Sequence, residues 1–341
     1  MRLKRSSVLV LGAGGLGCPA LLYLSAAGVG RLGIADPDVV SASNLPRQIL
    51  FSPADLGAPK AATAARFLQA RYPEGALEVI PEAFTAANAL ALAASFDLIV
   101  DCTDNFPTRY LASDIGTWLQ KPVVHGSIHQ FQGQVTVFAP HLGAPCYRCM
   151  FPVPPAPGTV PDCQSGGVLG VLAGLIGTLQ AVEAIKLLTH TGDPLLGRLL
   201  HADSLGTRFR EFKLRRDPAC PVCGPAPTLT SPIDYAQFCG LPPNAPAPEL
   251  PPAQFAAARA THFLLDVREP WEHALLPIPS DRWIPWSDLA VQLPSLPRDR
   301  PILAFCRVGQ RSQEAAHLLR QHGHPSALGL AGGLDALPDS P

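Results

Sequence analysis

Cysteine is the residue type whose spacing says most about chemistry in this chain. Of nine cysteines, four fall in two Cys-x-x-Cys pairs, Cys146 with Cys149 and Cys220 with Cys223. Together they offer four thiolates, the usual closed set for a structural Zn²⁺, each pair able to curl around one side of a tetrahedron. With all four positions filled none would remain for substrate, so the expected role is stability; redox-active or simply buried thiols are the alternatives. Cys306 is a different case. It opens the loop Cys306-Arg-Val-Gly-Gln-Arg311-Ser312, which follows an apolar run, Pro301 to Phe305, and precedes a helical segment from Ser312. Successive loop amides and the positive end of that helix would face the sulfur and favour a thiolate or persulfide anion, with Arg307 and Arg311 adding charge. A loop of this length suits a sulfur anion better than a bulkier phosphoryl group, which leaves a phosphatase as the weaker alternative. Cys163, in Pro161-Asp-Cys-Gln-Ser-Gly-Gly-Val168, stands before an apolar helix whose N-terminus could lower its pKa; an ordinary loop cysteine is the alternative. Cys18 and Cys102 read as packing residues, and Cys239 carries no chemistry.

A second constellation could handle phosphate. Val8-Leu-Val-Leu-Gly12-Ala-Gly14-Gly15-Leu-Gly17 is a strand feeding a glycine-rich turn at a helix start, where bare backbone lets phosphate oxygens approach amide N–H groups. Asp36 follows the next strand, so its carboxylate could accept from ribose hydroxyls. Alone, this fingerprint favours a dinucleotide dehydrogenase, with a glycine turn that binds nothing as the bland reading. Ser43-Asn44-Leu45-Pro46-Arg47-Gln48, Lys60 and Asp101-Cys-Thr-Asp104-Asn105 change that preference, because a hydride-transfer site needs no such set. Arg47 and Lys60 could neutralise triphosphate charge and Asp104 could hold Mg²⁺, which is what attack at a nucleotide phosphorus requires. His125 and His129 are read as satisfied polar residues rather than catalysts.

These residues need elements to carry them. Strand-like runs at Val8 to Leu11, Arg31 to Ala35, Leu98 to Val100, Pro122 to Val124 and Val135 to Phe138 alternate with helical segments such as Leu16 to Ala27 and Ala61 to Gln69. That is an α/β pattern with a mostly parallel sheet, whose carboxyl edge would gather the phosphate set. Prolines cluster between Pro242 and Pro252, where no helix or central strand could continue. Phe263 to Val267, Ile302 to Phe305 and the helix Ser312 to Gln321 then suggest a small second α/β unit. A length of 341 residues with 47% hydrophobic content supports two cores. The apolar stretch Gly166 to Leu179 is expected to fall short of a membrane span and to form a buried core helix. A net charge of -1, without a basic tract, asks for no nucleic acid, and no apolar signal region follows Met1. A soluble, cytoplasmic protein is the expectation, with no membrane partner.

Gly12-Ala-Gly-Gly-Leu-Gly17, Ser43-Asn-Leu-Pro-Arg-Gln48, Asp101-Cys-Thr-Asp-Asn105 and Pro145-Cys-Tyr-Arg-Cys149 resemble the ubiquitin-activating-enzyme-like family, in particular the molybdopterin-synthase and thiamine-pathway adenylyltransferases. The resemblance implies a Rossmann-like ATP-binding domain over 1–224, with Gly12, Gly14, Gly15, Gly17, Asp36, Ser43, Asn44, Leu45, Pro46, Arg47, Lys60, Asp104 and Asn105 around ATP and Mg²⁺. It implies catalytic parts for Arg47, Lys60, Asp104 and Cys163, the last forming a thioester or acyl-disulfide link. It also implies a homodimer and, as partner, a ubiquitin-fold sulfur-carrier protein ending in Gly-Gly, whose carboxylate is adenylated. Family members usually begin with a helix bearing an Arg-Tyr-x-Arg-Gln-like segment; none is found here, so that either the start has been placed too late or catalysis proceeds without it, with Arg2 or Arg5 as substitutes. Leu264-Leu-Asp266-Val-Arg268-Glu-Pro-Trp271-Glu272, the Cys306 loop and Gly332-Gly-Leu334 are similar to single-domain rhodaneses. This implies a rhodanese domain over 252–341, after a Pro-rich linker at 225–251, with Cys306 carrying sulfane sulfur from a cysteine desulfurase or thiosulfate. Where many rhodaneses have a Gly-His-Ile-Pro-Gly-Ala-like turn, this chain reads Leu275-Leu-Pro-Ile-Pro-Ser280. The expected activity is adenylation of the carrier followed by sulfur transfer to a thiocarboxylate; a non-adenylating sulfur-trafficking scaffold and a nicotinamide-dependent oxidoreductase are the rivals.

Overall fold

A computed structural model describes residues 2–155, 167–240 and 247–337, so Cys163 lies outside the described residues. They fall into two compact units, one of residues 2–155 with 167–239 and one of residue 240 with 247–337.

The first unit is built on an eight-stranded sheet in the order β3-β2-β1-β4-β5-β6-β7-β8. β1 (Ser7–Leu11), β2 (Arg31–Ala35), β3 (Ala76–Ile80), β4 (Leu98–Asp101) and β5 (Val123–His129) run parallel. β6 (Gln132–Phe138), β7 (Arg198–Asp203) and β8 (Arg208–Lys213) follow antiparallel. β1 and β4 bury nearly every side chain because helices cover both sheet faces, which is why they are short unbroken apolar runs. β8 is exposed along its whole length, and its sequence Arg208-Phe-Arg-Glu-Phe-Lys213 has neither the burial nor the apolar run that marks a strand in the parallel half. From β1 the chain winds outward to β2 and β3, then crosses back to lay β4 on the other side of β1. Neighbouring connections diverge there and leave a crevice at the carboxyl ends of β1 and β4.

The expected core helix is longer than its apolar stretch, running Gly170–Thr189. By length and composition it could cross a membrane. Here it buries Leu172 and Ile176 in the cluster that holds Leu16, Leu21 and Val135, while Val171, Leu175 and Val182 face outward.

Within the span expected as linker, both ends are structured. Tyr235–Phe238 is a helical turn that places Tyr235 and Cys239 in a core of the first unit. β9 (Glu249–Leu250) is the edge strand of the second sheet. Tyr235, Cys239, Ala247 and Leu250 are buried, so the span between the expected domains supplies core residues to both units.

The second unit carries a five-stranded parallel sheet in the order β11-β10-β12-β13-β9. β10 (Phe263–Asp266) and β12 (Ile302–Phe305) are its buried centre, flanked by β11 (Arg282–Trp283) and β13 (Leu328–Leu330). The helix after β12, Gln310–Gln321, starts at the end of the Cys306 loop.

Candidate functional site

The glycine turn after β1 is tight for a definite reason. Gly12 takes a φ of 90°, and a Cβ on Gly17 would fall within 1.9 Å of the Gly12 carbonyl oxygen, so the helix Gly17–Ala26 can start directly under the turn. Asp36, at the end of β2, closes the turn from the side: its Oδ2 accepts from the Ala13 amide at 2.7 Å and its Oδ1 from the Asp38 amide at 2.9 Å. Burial pushes the Asp36 carboxyl above its ordinary range, while Lys60 and these two amides pull against it. Lys60, itself buried, reaches Asp38 at 2.8 Å. Arg47 packs its chain over Gly15, where an added Cβ would sit 3.4 Å from the Arg47 Cγ, and its guanidinium donates to the Ser43 carbonyl. Among the described residues Arg47 has no carboxylate partner. Asn44 is buried and accepts from Gln48 Nε2 at 2.7 Å, while Ser43, Leu45 and Pro46 shape the turn around them. The structure thus brings Gly12, Gly14, Gly15, Gly17, Asp36, Asn44, Arg47 and Lys60 to one sheet edge.

The loop after β4 adds the rest. Cys102 donates its amide to Leu11, which ties this loop to the glycine turn. Asp104 is exposed and points to no partner among the described residues. Asn105 is already employed: its side chain accepts from the Thr108 amide at 3.0 Å and caps the helix Phe106–Trp118. Sequence reasoning missed what braces this loop. Asp101 is buried, paired with His125 at 2.7 Å, and Gln180 donates to the Asp101 carbonyl. Arg109 donates twice to the Thr103 carbonyl. His125 and Gln180 come from distant segments, and no spacing in the sequence announces them.

The four cysteines of the two pairs converge, their sulfurs all within 4.8 Å of one another. Cys146 lies 3.7 Å from Cys149 and 3.5 Å from Cys220, and Cys149 lies 3.3 Å from Cys223. A tetrahedral thiolate-bound metal with bonds of about 2.3 Å needs sulfur edges of about 3.8 Å, so the set fits such an ion with little adjustment. The helical turn Tyr147–Met150 between the first two sulfurs carries Arg148, which grips Asp114 with two nitrogens in a wholly buried pair. Tyr235 donates its hydroxyl to the same carboxylate, which explains why its segment is folded. Burial pushes the Cys18 thiol up to about 12 and Cys239 up to about 11, and raises Cys102 as well.

In the second unit Cys306 is fully buried beneath its loop. The Gly309 amide donates to its sulfur at 3.2 Å and the Ser312 amide at 3.4 Å, a backbone cradle for a sulfur anion. The expected charge from the two arginines is spent elsewhere. Arg311 forms a buried bidentate pair with Glu272 at 2.6 and 2.7 Å, and Arg307 reaches out to Asp335. Both arginines have carboxylates within reach because Glu272 and Asp335 lie on segments that border the loop, a closeness the linear motif does not encode. Asp266 takes Arg268 and His273, and His273 stacks on Trp283 at 4.5 Å. Leu276, in the segment that departs from the rhodanese pattern, accepts from Arg268 through its carbonyl, while Leu275 is exposed.

The sequence matches the ThiF family over residues 1–222 and the Rhodanese-like domain over residues 252–338. It is 52% identical to the sulfur carrier protein adenylyltransferase of Thermus thermophilus, over 70% of this chain and 90% of that protein. It is 41% identical to the adenylyltransferase and sulfurtransferase MOCS3 of Anopheles gambiae, over 98% of this chain and 82% of that protein. With the probable adenylyltransferase/sulfurtransferase MoeZ of Mycobacterium tuberculosis it shares 40% identity over 98% and 87%. Among solved structures, E. coli MccB with MccA-N7isoASN superposes with a TM-score of 0.60 at 23% identity, over 65% of this chain and 68% of that one, which shows a common fold.

Proposed function

This chain belongs to the ThiF family and carries a rhodanese-like domain, and from that premise we propose how its two units divide the work of a sulfur-carrier adenylyltransferase and sulfurtransferase. The first unit adenylates the C-terminal carboxylate of a small ubiquitin-fold carrier ending in Gly-Gly. The carboxylate oxygen attacks the α-phosphorus of ATP, an acyl–AMP anhydride forms, and pyrophosphate leaves. Amides of the Gly12–Gly17 turn, Arg47 and Lys60 stabilise the phosphate charge, and Asp36 holds the ribose side. Asp104 would hold Mg²⁺, which supplies neutralisation of phosphate charge when bound.

The second unit loads sulfane sulfur on Cys306, under the amides of Gly309 and Ser312, from a cysteine desulfurase or thiosulfate. The terminal persulfide sulfur attacks the activated carbonyl and AMP leaves, giving an acyl disulfide. A second thiol, for which Cys163 is the candidate, then attacks the Cys306 sulfur and releases the thiocarboxylate. The resulting disulfide needs a dithiol reductant to return both thiols. Cys146, Cys149, Cys220 and Cys223 would hold Zn²⁺ as a structural clip, with no part in turnover. Homodimerisation would give the outward apolar face of Val171, Leu175 and Val182 a partner, and a cytoplasmic setting would keep the thiols reduced.

The observation that carries this reading is the meeting of Gly15, Arg47, Asp36 and Lys60 at one edge of a sheet whose chain also bears an amide-cradled thiol. ATP–pyrophosphate exchange is the test, run with candidate carriers intact and lacking the last glycine. Exchange that requires the intact tail is expected; absence of exchange with every carrier would favour a persulfide-handling scaffold.

A further inference from the structure

Asp104 sits on a loop of four residues between β4 and the helix Phe106–Trp118, and no bond to its own side chain fixes it among the described residues. Its direction is set by what holds the residues around it. Thr103 is clamped from two sides. Its amide and hydroxyl donate to Asp101 Oδ1 at 3.1 and 2.6 Å, and its carbonyl accepts from Arg109 Nε and a terminal nitrogen at 3.2 and 3.0 Å. Asp101 in turn has its other oxygen, Oδ2, against His125 Nδ1 at 2.7 Å.

We infer that His125 is a positioning residue for adenylation: it fixes Asp101, Asp101 fixes Thr103, and Thr103 sets the direction in which Asp104 leaves the sheet edge. This rests on the assignment of Asp104 to the divalent cation. The geometry leaves the pair little freedom. Asp101 and His125 are 1% and 2% exposed, and the imidazole is boxed by Phe138 and Tyr147 at ring separations of 5.5 and 5.3 Å. Burial works to raise the Asp101 pKa, and His125, Arg109 and Thr103 more than offset it, so the carboxylate stays ionised and Nδ1 is the donor. Tyr147 belongs to the helical turn between Cys146 and Cys149, so one wall of the imidazole's box is carried by the cysteine-bearing segment. A space-filling role would be met by any well-packed side chain; the hydrogen bond to Asp101 matters only if the loop's aim matters.

The test uses the full chain with its carrier. Mn²⁺ affinity is read by electron paramagnetic resonance in the presence of a non-hydrolysable ATP analogue, and ATP–pyrophosphate exchange is followed against Mg²⁺ concentration. His125→Ala is expected to weaken Mn²⁺ binding and raise the Mg²⁺ needed for half-maximal exchange by about 10- to 100-fold. Thr103→Val moves both in the same direction by less, and His125→Asn, whose amide nitrogen can occupy the Nδ1 position, restores most of the loss. If His125→Ala does not fold, Thr103→Val carries the test, since it removes only a hydroxyl. Asp104→Asn is measured alongside. Unchanged Mn²⁺ affinity in a folded His125→Ala or Thr103→Val protein, with Asp104→Asn inactive, overturns the inference and leaves the assignment of Asp104. An Asp104→Asn protein with full exchange overturns both.

Discussion

The nucleotide edge of the first unit and the Cys306 loop of the second both handle negative charge, yet they are built on opposite plans. At the nucleotide edge neither cation is locked in a wholly buried ion pair: Arg47 donates to one backbone carbonyl, and Lys60, itself buried, faces a carboxylate that is mostly in solvent. Around Cys306 each arginine already has a carboxylate, and the sulfur is left to two backbone amides. A polyphosphate brings several charges that an open set of side chains can follow. A single sulfur, by contrast, is served by a fixed cradle that a mobile cation would not improve.

Substitutions can break this contrast or sharpen it. Cys306→Ala is expected to cut thiocarboxylate formation by about 10³-fold or more, leaving ATP–pyrophosphate exchange within about twofold. Thiocarboxylate mass spectrometry and exchange, run on one preparation, check this; a matching fall in exchange would join the two sites that the plans separate. Arg47→Ala gives the mirror image, with exchange falling by about 10²- to 10³-fold and persulfide loading on Cys306 retained.

Glu272→Gln leaves Arg311 charged and buried without its carboxylate, so the second unit should lose about 3–5 kcal/mol. Denaturant unfolding followed by tryptophan emission would show this loss. Trp271, Trp283 and Trp286 lie in that unit, against Trp118 in the first. Acidity should act on the first unit through His125. Burial holds its pKa below the ordinary 6.5, against the raising influence of Asp101, and Arg109 lowers it further. The unfolded chain therefore takes up a proton that the folded chain refuses. Stability should be full above about pH 6.5 and fall as pH drops toward the folded value. The fall should be smaller in His125→Asn when the two melting curves are compared, the remainder coming from His141, whose pKa burial also lowers. Arg307→Ala, at an exposed pair, should change stability by no more than about 0.5 kcal/mol and leave sulfur transfer near its original rate.

Much of this was legible in the sequence wherever a function is written into consecutive residues. The glycine turn, Ser43 to Gln48 and Asp101 to Asn105 each carry their geometry locally, and so do the two cysteine pairs and the Cys306 loop. The buried parallel strands β1, β2, β4, β5, β10 and β12 were legible too, since cover on both faces leaves an unbroken apolar run, whereas the half-exposed β3 and the short β9, β11 and β13 were not. What could not be read was pairing across distance. His125 with Asp101, Arg148 with Asp114 and Tyr235, and Glu272 with Arg311 join residues 24 to 121 positions apart, and a polar side chain carries no mark of the partner that will bury it. The neutralised arginines of the Cys306 loop show the cost. A local motif displayed two charges, and the fold had already answered both. Strand β8 was missed for a related reason, because an exposed edge strand has no apolar face to report it.

The cysteine cluster closes a segment whose two halves are made at different times. Cys146 pairs with Cys220 and Cys149 with Cys223, each across 74 positions. At roughly 5–20 residues per second of synthesis, the first two thiols wait roughly 4–15 s on the ribosome before the other two exist. In that interval the nascent chain can offer a metal only half a site. Capture of an ion by this cluster would therefore be a late event for the first unit, timed to the emergence of Cys223, when the strands bearing the nucleotide edge have long since left the ribosome and the rhodanese-like domain has yet to be made.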